Sequence, residues 1–286
     1  MNKVKTLTLT SPLYPEYLRN IPQPPKQLYY LGDLLSLLDM PRLAVVGSRK
    51  VSAYGRAVTL NLSKKAAEQG IVIVSGLALG VDGLAHQGTL EARGKTIAVM
   101  ACGLNRIYPA THRNLAQQIL EQGGAIVSEY PLGTEPFKTN FLERNRIISG
   151  LSDAVLITEA ALRSGSLNTA NHALEQGRSV LAVPGNISSE LSGGTNNLLK
   201  LGAAPVTELS DILAAMNLEV HDTERIILGS TAEETAVLAL LLSGMSEASE
   251  LLLHSQLEAQ LFNQTLSMLE ITGKIRPLGA GHWGLT

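Results

Sequence analysis

The sequence predicts an α/β fold: a large parallel-sheet domain followed by a small helical one. Three observations carry this. Six short apolar, β-rich runs lie at residues 43–46, 71–74, 96–100, 125–127, 154–157 and 179–183, and each stops at a polar, glycine-rich loop. A helix-like stretch follows each loop, so strands alternate with helices and pair in parallel. Beyond residue 230 the alternation ceases, and three helical segments precede a glycine-punctuated end.

Residues 1–40 carry Pro12, Pro15, Pro22, Pro24 and Pro25 and read as an irregular extension packed on the sheet, with 27–31 as a candidate strand. The α/β body then runs to residue 217. Three of its helices close on the same string, Glu68-Gln69-Gly70, Glu121-Gln122-Gly123 and Glu175-Gln176-Gly177, with glycine in the position that ends helices. Residues 218–230 read as a linker and 231–286 as a winged-helix-like domain. That domain has helices at 233–242, 247–254 and 257–270 and a hairpin over 274–285, where Gly279, Gly281 and Gly284 fall.

Composition narrows the classes. The chain has 286 residues, 45% hydrophobic and 17% charged, which is globular and long enough for a full core. No apolar stretch approaches the roughly 20 residues of a membrane helix, and residues 1–10 lack a signal-peptide core. The lone cysteine, Cys102, has no internal partner. A cytoplasmic protein without membrane contact is expected. The formal charge of −2 divides unevenly: residues 230–286 hold six acidic and two basic groups, and the remainder is net +2. Any polyanion site is therefore local, built from placed arginines.

Parallel strands all point one way, so their loops gather on the carboxyl edge of the sheet, where open α/β sheets bind ligands. Val46-Gly47-Ser48-Arg49 ends the first strand and opens a helix over 54–69. A glycine there brings backbone N–H groups at a helix start near an anion, and Arg49 can fork onto a phosphate. The same string also serves as a plain turn with a surface arginine. The next glycine is Gly55, so the GxGxxG fingerprint of dinucleotide sites is absent. After the second strand, Asp82 reads as the cap of a helix over 83–92, and His86 as a hydrogen-bonded core histidine; an acid–base or metal site lacks a third partner in the sequence.

Residues 137–146 are the most basic and aromatic loop in a chain with 4% aromatic residues. Rings such as Phe141 stack on bases while Lys138, Arg144 and Arg146 track a backbone, the pairing of a single-strand binder. Arg144 and Arg146 cannot face the same way on a helix, which leaves one of them to structure. Arg163-Ser164-Gly165-Ser166 opens a further helix with Ser166 placed as cap or anion ligand, and Gly193-Gly194-Thr195-Asn196 repeats the idea. In the last domain the third helix carries no Lys or Arg and two glutamates. A reading helix for DNA needs the opposite, so the module reads as a protein-contact or dimerisation element, or at most a weak nucleic-acid contact, with Trp283 in its core.

Together these motifs resemble the DNA-processing protein A (DprA/Smf) family. The stretches that carry the resemblance are GSRKVSAYG from Gly47, SGLALGVDGLAHQGTL from Ser75 and CGLNRIYPATH from Cys102, then RNRIISGLS from Arg144, RSGSLNTANHALEQGR from Arg163 and VPG from Val183 followed by GGTNNLL. The tail, ending LEITGKIRPLGAGHWGLT, looks like that family's winged-helix domain. The resemblance implies an extended Rossmann-like fold that binds single-stranded DNA as a homodimer and delivers it to the RecA recombinase in natural transformation. It brings no catalysis, metal or cofactor. On this resemblance Arg49 grips phosphate, and Lys138 and Phe141 stand where the family has a basic and a base-contacting residue. Gly47, Ser48, Arg144, Arg146, Gly165, Ser166 and Asn171 complete the candidate DNA contacts. Many members carry a helix-hairpin-helix domain before the α/β body, and none is expected within the residues that precede it here. The competing reading is a Rossmann-like nucleotide phosphoribohydrolase using Asp82, Glu129 and Glu159 as acid and base. That family's PGGxGT signature is missing, its nearest string being Ser192-Gly193-Gly194-Thr195.

Overall fold

The computed structural model describes residues 3–218, 229, 231–279 and 281–285. The chain divides into two compact units, residues 1–221 and 222–286. The expected linker, 218–230, falls almost wholly outside the described residues.

The first unit opens with β1 (Lys5–Thr8), α1 (Glu16–Arg19), β2 (Gln27–Gly32) and α2 (Leu34–Leu37). The alternating body follows: β3 (Arg42–Val46), α3 (Ala53–Glu68), β4 (Val72–Ser75), α4 (Val81–Glu91), β5 (Thr96–Met100), α5 (Arg113–Glu121), β6 (Ala125–Ser128) and α6 (Lys138–Gly150). It closes with β7 (Ala154–Ile157), α7 (Ser166–Glu175), β8 (Ser179–Ala182), α8 (Gly193–Lys200), β9 (Ala204–Pro205) and α9 (Leu209–Ala215). The helix stops fall as expected: Gly70, Gly123 and Gly177 take φ of 76°, 75° and 68°, the left-handed turn that closes α3, α5 and α7.

Among the described residues nine strands form one sheet in the order β1-β2-β6-β5-β4-β3-β7-β8-β9. Strands β3 to β9 are parallel, while β2 pairs antiparallel with β6 and β1 antiparallel with β2. The sheet is thus mixed; the N-terminal extension supplies two of its strands, the candidate over 27–31 as β2, and β1, which was not expected. β1 escapes a pattern search because only Leu7 of its four residues is buried.

Helices cover both faces. Alternate residues of each strand point to opposite sides, so Ala44 and Val46 join the core with Ile147 and Ile148 of α6 and Ala170 of α7. Leu43 and Val45 face the other way, onto Leu62 and Ala66 of α3 and Val81 and Ala85 of α4. Ala98 and Met100 continue that side against Ala116 and Ile119 of α5. Strands buried on both faces are apolar throughout, and each Val, Leu or Ile fully buried there contributes about 1.5–3 kcal/mol. The chain leaves β3 through α3 towards β4, β5 and β6, then returns through α6 to β7 on the other flank. β3 and β7 are neighbours, so the order reverses between them.

The second unit holds α10 (Ala232–Leu242), α11 (Ala248–Ser255), α12 (Ala259–Ile271) and a hairpin of β10 (Ile275–Gly279) with β11 (His282–Leu285). Val237, Leu251, Phe262, Leu269 and Ile275 form its core, with Trp283 packed against it. The Glu234 carboxylate, nearly buried, holds Lys274 at 3.0 Å.

Candidate nucleic-acid interface

A reversal of strand order opens a crevice at the carboxyl ends of the two strands that flank it, and here β3 and β7 flank a cleft of about 460 Å³. Its first wall is the loop after β3. A Cβ at Gly47 would lie 2.6 Å from the Glu159 carbonyl oxygen, so only glycine lets the loop pass. Glu159, just beyond β7 and 2% exposed, then fastens that loop twice. Its carbonyl accepts the Ser48 N–H at 2.7 Å, and its carboxylate accepts the Ser52 N–H at 2.9 Å and the Ser52 hydroxyl. Ser52 in turn caps α3, its Oγ accepting the Gly55 N–H at 3.0 Å. The Ser48 hydroxyl turns back to the Lys50 carbonyl. The exposed side chains of Arg49 and Lys50 are left at the rim.

The second wall is α6. Helical spacing brings Phe141, Arg144, Asn145 and Ile148 to the cleft. Arg49 lies over the Phe141 ring, 5.0 Å from its centroid, and Tyr108 tilts against the same ring at 5.6 Å. Such a cation–π arrangement turns guanidinium and ring into one surface. Asn145 donates to the Gly165 carbonyl and Asn168 Oδ1, both at 3.3 Å, and so holds the third wall, the loop after β7. That loop adds an exposed Arg163.

Several expectations change here. Arg144 is 3% exposed and donates to the carbonyls of Gly76, at 2.7 Å, and of Val99. Its Nε donates to Asn145 Oδ1 at 3.3 Å, and it forms the floor of the cleft. Arg146 is bound in a fork to Glu129 at 2.7 and 2.6 Å, away from the cleft lining. One arginine of the pair was expected to be structural, and Arg146 is the one engaged outside the cleft lining. Asp82 lies inside the first turn of α4, one residue past its start, and caps nothing; it accepts the Gly76 N–H at 3.1 Å. Burial pushes its carboxyl up, against the pull of Arg144. His86 is a core histidine, its Nδ1 2.7 Å from the Thr96 hydroxyl. Asp82, Glu129 and Glu159, the candidate acid and base, are all engaged in these structural bonds.

Of the remaining candidates, Gly47, Ser48, Gly165 and Ser166 line the cleft. Ser166 is the first residue of α7 and its hydroxyl meets that of Ser164 at 2.7 Å, so it neither caps nor stands free. Lys138 is exposed at the start of α6, one turn before Phe141, outside the lining. Asn171 is exposed midway along α7 and does not reach the cleft. The convergence of loops is narrower than expected. The loop after β5 pairs Arg106 with Glu135, and the one after β8 is closed by Asn196 on Gly185. Lys50, Asn145 and Arg163 were not singled out by sequence, although Lys50 adjoins Arg49 and Arg163 opens its loop. Among the described residues no group of three or more His, Cys, Asp or Glu could hold a metal ion.

Residues 5–217 match the family model of DNA recombination-mediator protein A. The chain belongs to this family. Within the DNA recombination-mediator proteins A, protein Smf of Escherichia coli is 49% identical over 211 residues, which are 74% of this chain and 56% of the relative. The chain thus spans little more than half the length of that relative. DNA processing protein DprA of Bacillus subtilis is 41% identical over 209 residues, 73% of this chain and 70% of that one. The X-ray structure of DprA from Streptococcus pneumoniae superposes with a TM-score of 0.70 at 41% identity, covering 77% of this chain and 76% of that one. DNA processing protein A of Helicobacter pylori, described for its single-stranded DNA binding mode, gives 0.67 at 35% identity over 76% and 98%. Residues 218–286 lie beyond the family match.

Proposed function

We propose that the cleft binds single-stranded DNA and that the protein acts as a cytoplasmic recombination mediator, protecting incoming strands and helping to load RecA onto them in natural transformation. The observation that carries this reading is Arg49 laid over Phe141 at the mouth of the switch-point cleft, with Lys50 and Arg163 beside it. Phosphate sits on cations and backbone N–H groups while a base lies against the ring. Single-stranded DNA binding by the Helicobacter pylori relative supports the same use of the fold. A homodimer would present two such sites to one strand and gain affinity by local concentration. The second unit, read as a winged helix, serves protein contact in this scheme, since its residues from 230 onward are net acidic.

The test is a titration with fluorescent oligo-dT and its duplex at several salt concentrations, for wild type and Arg49→Ala. Wild type binds the single strand more tightly than the duplex, and the variant binds more weakly while melting at the same temperature. Losing one phosphate contact lowers the slope of log affinity against log salt by about 0.7. Unchanged affinity in Arg49→Ala would remove that residue from the site. Release of free base from nucleoside monophosphates would instead favour the phosphoribohydrolase reading.

A further inference from the structure

We propose that the bound strand does not end in the cleft but crosses Arg49 into a second groove along α4; this rests on the single-strand reading of the cleft. Arg49 lines both spaces, the cleft and a neighbouring groove of about 810 Å³. The ridge between them is the start of α4. Ala78 and Asp82 face the cleft, whereas Leu79, Gly80 and Gly83 face the groove. Gly80 lets the ridge close on the Arg49 loop, since a Cβ there would lie 2.3 Å from the Ser48 carbonyl oxygen.

The groove has the chemistry of a strand path. Its apolar surface for base faces comes from the exposed Leu79 and the half-buried Leu115, over the buried Leu84 and Leu90. Its sides carry the amides Gln87 and Gln118, which both donate and accept towards base edges without selecting one base. Arg56, exposed on the first turns of α3, adds a cation for a second phosphate beyond Arg49. Glu91 is the single carboxylate of the lining and is held by the Gln87 amide at 3.0 Å. Eleven residues of α4 at 1.5 Å each give a path of about 16 Å, room for several nucleotides. Neutral amides and leucines with one cation at intervals suit a strand held without sequence preference.

The experiment measures affinities of the full chain for oligo-dT from about 4 to 16 nucleotides, the span of site sizes in single-strand binders. Wild type, Arg49→Ala, Arg56→Ala and Gln118→Glu are compared. Arg56→Ala and Gln118→Glu are expected to bind the shortest strands like wild type and the longest more weakly. For long strands Arg56→Ala loses about 0.7 from the salt slope, so its deficit grows about 2.6-fold between 200 and 50 mM salt. If both groove variants match wild type at every length while Arg49→Ala binds weakly, the extension is wrong and the cleft stands. A loss of equal size at all lengths also overturns it, because that marks a disturbed cleft. Wild-type binding by all three variants overturns the cleft reading and the extension with it.

Discussion

At the residue scale, the floor of the cleft is built on the buried Arg144. The Nη1 of Arg144 donates to the carbonyls of Gly76 and Val99, and a Cβ at Gly76 would fall 2.5 Å from the Arg144 guanidinium. Arg144→Met is expected to lower stability by about 2–4 kcal/mol, since hydrogen bonds from a charged group are lost and buried acceptors are stranded; urea unfolding measures it. His86 gives a pH dependence. Burial holds its pKa down to about 3 against an ordinary 6.5, so below pH 6.5 the unfolded chain takes up a proton that the folded chain refuses. Its contribution is complete above pH 6.5 and falls by about 1.4 kcal/mol per pH unit down to pH 3. Asp82 works the other way, because burial raises its carboxyl and acid relieves it. The His86→Gln variant should therefore show a smaller stability loss between pH 7 and pH 4 than wild type. Sequence singled out Arg49 for phosphate and Phe141 for a base in two separate loops, but no spacing says that an arginine turns inward. Direction is a tertiary property, fixed for Arg144 by which carbonyls it can reach.

At the scale of elements, six strands were legible to within a residue or two because fully buried parallel strands are apolar from end to end, and α3 and α4 nearly as closely; α6 was not, since residues 137–146 read as a loop and form most of that helix. The glycine stops marked the helix ends for the same local reason. β1 was not legible, since its other residues are exposed and its pairing with β2 is set across the chain. Nor was the fastening of α3 by Glu159, a contact between residues 107 positions apart. Ser52→Ala removes both the cap and a partner of that buried carboxylate. A cap of this kind is worth about 1 kcal/mol, so the urea midpoint should fall accordingly. Single-strand affinity should fall with it as the Arg49 loop loses its anchor.

Over the whole molecule, the cleft, the groove and the family match all lie before residue 218, whereas the net charge from residue 230 onward is −4. A chain ending at residue 218 is expected to bind oligo-dT within about twofold of the full chain, a difference below 0.5 kcal/mol. Residues 222–286 alone should not retain duplex DNA in a gel shift. The division into a large α/β unit and a small helical one was legible from where strand-helix alternation stops. The location of the cleft needed the strand order, because six similar loops in sequence give no sign of which two strands are neighbours.

Glu159 has one further consequence. Its carbonyl and its carboxylate clamp the two ends of the same five-residue loop from a position at the end of a central strand. We expect the mouth of the cleft to open together with the middle of the sheet rather than by local fraying. The amide hydrogens of Ser48 and Ser52 should exchange with deuterium as slowly as those of β3 itself, on the timescale of global opening. A strand would then meet a rigid ledge, with little ordering left to set against the energy of binding.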